Sequence, residues 1–264
     1  MRQLALLLPA AALLMAAGAP AHYQSSPERR TVADKRDWGP WAGPFRDKLV
    51  PSMMQDFGER YLYAPANAAL PPPAKREKRV VFMGDSITDL WNLARYFPGK
   101  PYINRGIGSQ VTAQMLVRFE QDVVALKPSA VVILGGVNDV SGFLQIESTG
   151  GIVSNIEAMA DIADRHGIRV VLCSILPVTN TPKADYVVKE RKPAELREIN
   201  AKLEALARAR GYAFANYAPA LAGSDGLMLA DLTQDGVHPL PAGYARMAPI
   251  AEAAIEQALK PQDH

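Results

Sequence analysis

The sequence predicts an α/β protein built on a five-stranded parallel sheet with helices over both faces. Three observations carry this prediction. First, five short apolar runs, at 80–84, 101–104, 130–135, 169–175 and 212–216, are spaced along the chain from residue 80 onward. Second, segments of helical character, near 86–96, 111–126, 151–166, 192–210 and 241–259, lie between and after them. Such alternation, with strands apolar along their length, is the pattern of a parallel sheet buried on both sides. Third, His166-Gly167 and Gly211 stand where two helical segments must stop, and glycine there supplies a helix end.

Taken in order, the chain of 264 residues begins with a segment that reads as a secretory signal. Met1-Arg2-Gln3 forms a short positive start, Leu4 to Ala17 is apolar, and Ala19-Pro20-Ala21 fits a small-residue cleavage site. The expectation is an exported protein, periplasmic or extracellular, cleaved near Ala21. The apolar stretch falls short of the ~20 residues of a membrane span, so no stable membrane insertion is expected after cleavage. Residues 22–79 form an arm and linker. Gln24 to Arg36 is polar, whereas Trp38, Trp41, Phe45, Phe57, Tyr61 and Tyr63 make the next stretch too aromatic for a solvated tether. These residues are expected to pack on the main domain, with the neighbourhood of its site as one place for them. Pro71-Pro72-Pro73 and the charged run Lys75 to Arg79 form a stiff boundary. The main domain then spans 80–264. In its second helical segment Gln114, Arg118 and Gln121 fall on one side, and Met115, Leu116, Phe119 and Val123 on the other.

The net charge of +2 gives no sign of nucleic-acid binding. Cys173 is the single cysteine, so no intramolecular disulfide can form, and its apolar surroundings read as a buried core thiol.

In an open sheet of this class ligands bind beyond the carboxyl ends of the strands. Gly84-Asp85-Ser86 follows the first apolar run and delivers a serine to the start of a helix, the setting of an activated nucleophile. Taken alone, those three residues read as a surface turn, and only a base and oxyanion donors elsewhere in the chain shift the reading toward a nucleophile. A serine hydroxyl needs a base, and the chain holds 4 histidines. His22 abuts the expected cleavage site, His264 ends the chain, and His166 caps a helix. His238 remains, three residues after Asp235, so one turn can present carboxylate and imidazole together. Donors for a developing oxyanion are available from the Ser86 N–H, the loop Gly106-Ile107-Gly108-Ser109, and the amide of Asn138 after the third strand.

These segments together, in order and spacing, resemble the SGNH hydrolases, the GDSL esterase/lipase family. Gly84-Asp85-Ser86, the 104–110 loop, Gly136-Val137-Asn138-Asp139 and Asp235-Gly236-Val237-His238 match its four blocks, over about residues 78–260. The resemblance implies a flavodoxin-like three-layer α/β/α fold. It implies Ser86 as nucleophile, His238 as base, Asp235 as its orienting acid, and Asp85 in a supporting position. It also implies an oxyanion hole made by the Ser86 N–H, an N–H of the second block and the Asn138 side chain. Where relatives read Gly-Ile-Gly-Gly, this chain has Ser109 in the last position, so either Ser109 or Gly108 supplies the second-block N–H. A positive φ at Ser109 would strain a non-glycine residue by about 1 kcal/mol or more.

The expected reaction is hydrolysis of a carboxylic ester through an acyl-enzyme, with no cofactor and no metal. The resemblance to acetylhydrolase-like and carbohydrate-esterase-like members favours short acyl groups, above all acetyl, on a sugar or polysaccharide. The segment Thr179–Lys192, with Lys183, Tyr186, Lys189 and Arg191, is either part of the pocket or a solvated loop. Two other readings compete: a lysophospholipase or thioesterase on the same scaffold, and a noncatalytic carbohydrate- or nucleotide-binding module.

Overall fold

Strands β1 (Val80–Gly84), β2 (Tyr102–Gly106), β3 (Ala130–Leu134), β4 (Arg169–Cys173) and β5 (Ala213–Ala215) run parallel in the order β2-β1-β3-β4-β5. They belong to a computed structural model that describes residues 42–145 and 147–260. The expected signal segment, Trp38, Trp41, His22 and His264 lie outside the described residues.

Burial explains why the strands could be read. β1 and β3 are buried at every position and β4 at its last four, so each is a continuous apolar run. Strand β2, at one edge, continues two residues beyond the expected 101–104. Its extension contains a charged residue, Arg105, which is nevertheless buried. The Arg105 guanidinium donates to the Asn67 side chain (2.8 Å) and the Asn104 carbonyl (2.7 Å), and lies over the Tyr63 ring at 4.6 Å.

The crossover from β1 to β2 runs one way along the sheet, and those from β2 to β3, β4 and β5 run the other way. With right-handed connections this reversal puts the first crossover on one face and the later ones on the opposite face. The first crossover is α3 (Ser86–Asp89) and α4 (Leu93–Tyr96), two short helices where one was expected. Asn92 interrupts them and caps α4 by accepting the Arg95 N–H at 3.1 Å. The C-terminal helix α11 (Pro241–Ala258) packs with α4 over β3, β4 and β5. An aromatic cluster fills this layer, with Phe82 edge-on to Trp91 at 5.7 Å and Trp91 against Tyr217 and Tyr244. The other face carries α5 (Thr112–Val117), α8 (Thr149–Arg165) and α10 (Pro193–Arg210). Helices α8 and α10 end as read, at Gly167 and Gly211, both with positive φ. Cys173 is buried, and burial pushes its thiol up to about 12.

The expected helix over 111–126 is broken into α5, α6 (Phe119–Asp122) and a 3-10 turn at Val124–Leu126. The break falls at Arg118, and both sides of the segment are buried. Gln114 and Arg118 are fully inaccessible because an N-terminal arm packs on them. That arm holds α1 (Ala42–Met53) and α2 (Ala64–Ala69). Ala42 and Phe45 of α1 pack with Val111 and Phe143, and Phe45 meets the Phe143 ring at 5.9 Å.

Candidate active site

The reversal of crossover direction opens a crevice at the carboxyl ends of β1 and β3. β1 ends on Gly84, where a Cβ would lie 2.1 Å from Thr88 Oγ1 and 2.6 Å from the Leu134 carbonyl, so only glycine fits. Asp85 caps α3 by accepting the Ile87 N–H at 2.9 Å, and Ser86 is the first residue of that helix. Asp85 is completely buried, and its second oxygen accepts no hydrogen bond among the described residues. Burial pushes its carboxyl up to about 7, against the opposing pull of the Ile87 N–H and His238.

Ser86 Oγ lies 2.8 Å from His238 Nε2, and His238 Nδ1 lies 2.6 Å from Asp235 Oδ2. The turn that makes this possible is tightly fixed. Asp235 Oδ1 accepts the N–H groups of Val237 and His238, each at 2.9 Å. Gly236 has φ 85°, and a Cβ there would stand 1.9 Å from the Thr179 carbonyl. The Thr179 N–H in turn donates to the Gly236 carbonyl at 2.9 Å. Desolvation works against ionisation of Asp235. The bonds from His238 and from the two backbone N–H groups outweigh it and hold the carboxyl well below the usual range. His166 is exposed at the end of α8, remote from this arrangement in the chain and capping the helix as expected.

Asn138 is buried in α7 (Val137–Ser141), a short helix that begins after Gly136. Its amide donates to the Gln110 carbonyl at 3.1 Å, which ties the third-strand loop to the second-strand loop. Next to it, Asp139 is wholly buried and accepts the Thr112 N–H (3.0 Å) and hydroxyl (2.6 Å). Burial pushes Asp139 up to about 6. Ser109 adopts φ 67°, the left-handed region, which costs a residue with a Cβ about 1–2 kcal/mol.

Ser86, Gly108, Ser109, Asn138, Asp235 and His238 line one cleft of about 340 Å³. Phe45, Phe143, Tyr186, Val187, Arg191 and Val237 complete it. Three residues of the Thr179–Lys192 segment, Tyr186, Val187 and Arg191, thus reach the cleft as one alternative held, while Lys183 and Lys189 are exposed to solvent. Tyr186 precedes, and Arg191 ends, α9 (Val187–Arg191). The Arg191 guanidinium is buried and donates to Glu190 at 2.9 Å. Among the described residues, no group of three or more His, Cys, Asp or Glu could hold a metal ion.

Residues 82–246 match the model of the GDSL-like lipase/acylhydrolase family. The chain belongs to this family. It is 39% identical to a GDSL-like lipase from Bacteroides thetaiotaomicron VPI-5482, over 77% of this chain and 100% of that one, with a TM-score of 0.72. It is 36% identical to a protein from Bacteroides fragilis NCTC 9343 named as an acylhydrolase, over 78% of this chain and 99% of that one, again with a TM-score of 0.72. An acetylxylan esterase from Geobacillus stearothermophilus, solved as a catalytic mutant, shares the fold at 19% identity and a TM-score of 0.56, over 70% of this chain and 96% of that one. No protein of curated function matches the chain. As a GDSL-family member the protein is a carboxylic ester hydrolase. No described helix is long and apolar enough to cross a membrane.

Around the GDSL-family residues lies a polar scaffold that reading the sequence missed. Arg118 is fully buried and spends its guanidinium on four acceptors. Nε donates to Gln110 Oε1 (2.6 Å) and Nη2 to the Gly84 carbonyl (2.9 Å), while Nη1 donates to the Arg105 carbonyl (2.8 Å) and Asp122 Oδ2 (3.1 Å). It therefore joins the strand end before Ser86 to both ends of the 105–110 loop. Phe143 and Val187 were also missed, each lying in or beside a short helix with no periodic signal. The one available hint for Arg118 was its place in a polar row beside an unusually aromatic arm.

Proposed function

We propose that this GDSL-family protein is an exported esterase that removes short acyl groups, above all acetyl, from sugars or polysaccharides through an acyl-enzyme on Ser86. The observation that carries the proposal is the hydrogen-bonded series Ser86–His238–Asp235, at 2.8 and 2.6 Å, opening into a cleft that also holds Asn138, Gly108 and Ser109. His238 takes the Ser86 proton as Oγ attacks the acyl carbon. The oxyanion is received by the Ser86 N–H, the Ser109 or Gly108 N–H, and the Asn138 amide. His238 then returns the proton to the leaving alcohol, and water repeats the sequence to free the acid. Asp235, held ionised, keeps the imidazole oriented and balances its charge.

The walls of the cleft suit the two halves of such an ester. The leaving oxygen must lie against His238, and the Tyr186 hydroxyl in the same cleft suits the hydroxyl groups of a sugar alcohol. Phe45 and Phe143 bring apolar rings to the cleft, which suits a small acyl group. A volume of about 340 Å³ suits a small acyl group and one sugar ring, near the low end of the ~300–1,000 Å³ of ligand pockets. Export rests on the signal-like segment 1–21.

Purified protein should be assayed on nitrophenyl esters of increasing chain length and on acetylated sugars, and labelled with a fluorophosphonate. The expected result is fastest turnover of acetyl esters and labelling that Ser86→Ala abolishes. Best turnover of long acyl esters would replace the sugar-ester reading with lipid hydrolysis. Equal labelling of Ser86→Ala would remove Ser86 as the nucleophile, and an unlabelled wild type would favour a binding module.

A further inference from the structure

We infer that Tyr63 of the N-terminal arm is a positioning residue for the loop that supplies the second oxyanion donor. The inference rests on the proposed role of Ser86 and the 106–110 loop. That loop has an awkward task. It must present the N–H groups of Gly108 and Ser109 to the cleft while Ser109 sits at φ 67°, a conformation that residues with a Cβ avoid. A loop left to itself would relax out of that region.

The arm holds the loop at both ends. At its start, the Tyr63 hydroxyl donates to the Gly106 carbonyl at 2.5 Å, and the Tyr63 ring lies under the Arg105 guanidinium. At its end, the Gln110 side-chain amide donates to the Gly58 carbonyl (3.0 Å) and to Glu59 Oε2 (3.1 Å). The backbone carbonyl of Gln110 receives the Asn138 amide, so a shift at this end would move a second donor as well. Further bonds fix the arm to α5 and α6. Gln114 donates to the Phe57 carbonyl (2.8 Å), Gln121 to the Arg60 carbonyl (2.7 Å), and Asn67 to Asp122 (2.6 Å). None of residues 57–67 lines the cleft, so this segment of the arm acts on the chemistry through the loop. Tyr63 meets the loop two residues before Gly108 through a single hydroxyl, which can be deleted while the ring stays over Arg105.

The test is Tyr63→Phe, with kcat and KM for p-nitrophenyl acetate, inhibition by phenylboronic acid, hydrogen exchange of the 106–110 peptide and thermal midpoint measured together. A tetrahedral boronate on Ser86 places an oxygen in the same hole as the transition state, so it reports donor placement directly. The expected result is faster exchange in the loop, kcat lower by roughly 10-fold, KM within twofold of wild type, and boronate binding weakened in parallel with kcat. Unchanged loop exchange would overturn the inference. So would a lowered midpoint with kcat and boronate affinity intact, the signature of a merely structural tyrosine. A wild type that a fluorophosphonate does not label would overturn the Ser86 reading and this one with it, whereas a labelled wild type with an unaffected Tyr63→Phe variant overturns this one alone.

Discussion

Replacing Arg118 with methionine should cost about 3–5 kcal/mol of stability, a large share of the ~5–15 kcal/mol available to a typical domain. The side chain is fully inaccessible, and methionine matches much of its length and bulk while donating nothing. Four acceptors lose their donor: Gln110 Oε1, the carbonyls of Arg105 and Gly84, and Asp122 Oδ2. They are not equally exposed to the loss. The Gly84 carbonyl still accepts the Ile107 N–H at 3.1 Å. Asp122 still receives Asn67 at 2.6 Å and still feels the Arg105 charge, yet its carboxylate loses its direct ion-pair partner in a site closed to water. The unpaired carboxylate therefore dominates, and the separate hydrogen-bond losses do not simply add to it. Urea unfolding, followed by the fluorescence of buried Trp91, measures the effect. With a slope of about 3 kcal/mol per M, the midpoint should fall by about 1–1.7 M. Adding Asp122→Asn to the variant removes the stranded charge and should recover about 1–2 kcal/mol, whereas Asp122→Asn in the wild type should destabilise. A loss below about 1 kcal/mol for Arg118→Met, or no recovery in the double variant, would refute the view that this buried pair binds the two strand ends together.

Two further outcomes follow from the backbone and from burial. Ser109→Gly should relieve the left-handed strain and raise stability by about 1 kcal/mol, while kcat/KM stays within a few-fold because the N–H is retained; a drop of 100-fold would mean that the serine hydroxyl itself takes part. Asp85 is an acid whose folded-state pKa is raised to about 7, so the folded protein holds a proton that the unfolded chain releases near pH 4. The favourable contribution is complete below the unfolded value and is lost as pH rises through about 7, at up to about 1.4 kcal/mol per pH unit. Asp139, raised to about 6, acts in the same sense over a narrower range. Asp85→Asn keeps an acceptor for the Ile87 N–H and should flatten the decline between pH 5 and pH 8 in urea titrations; an unchanged slope would show that Asp85 is ionised throughout.

The interior strands were legible because burial on two faces forces an unbroken apolar run, which is why β1, β3 and β4 appear in the sequence almost as they stand. β2 was cut short because a run of apolar letters cannot include Arg105, although burial of that residue is made possible by Asn67 and Tyr63. Ser86, Asn138, Asp235 and His238 were legible for a different reason. Parallel strands deliver their following residues to one edge, so a search of five loops sufficed to find groups that the fold brings within 2.6–2.8 Å of each other in the case of Ser86, His238 and Asp235. Helical period misled by omission in the 111–126 segment. A row of Gln114, Arg118 and Gln121 looks the same whether it faces water or a covering chain. Here the cover is supplied from 57 and 61 residues away, the separations of Gln114 from Phe57 and of Gln121 from Arg60, and no local pattern encodes a partner at that distance. The contrast has a physical root. Residues that do the chemistry must sit at fixed places in the sheet, and their spacing repeats the strand–helix alternation. Residues that hold them need only complementary donors and acceptors, which any neighbouring segment can provide. In this chain the arm provides them, so Tyr63 and Asn67 and the backbone of residues 57–60 become part of the hydrolase domain's polar framework while lying outside the cleft that Phe45 of the same arm helps to line.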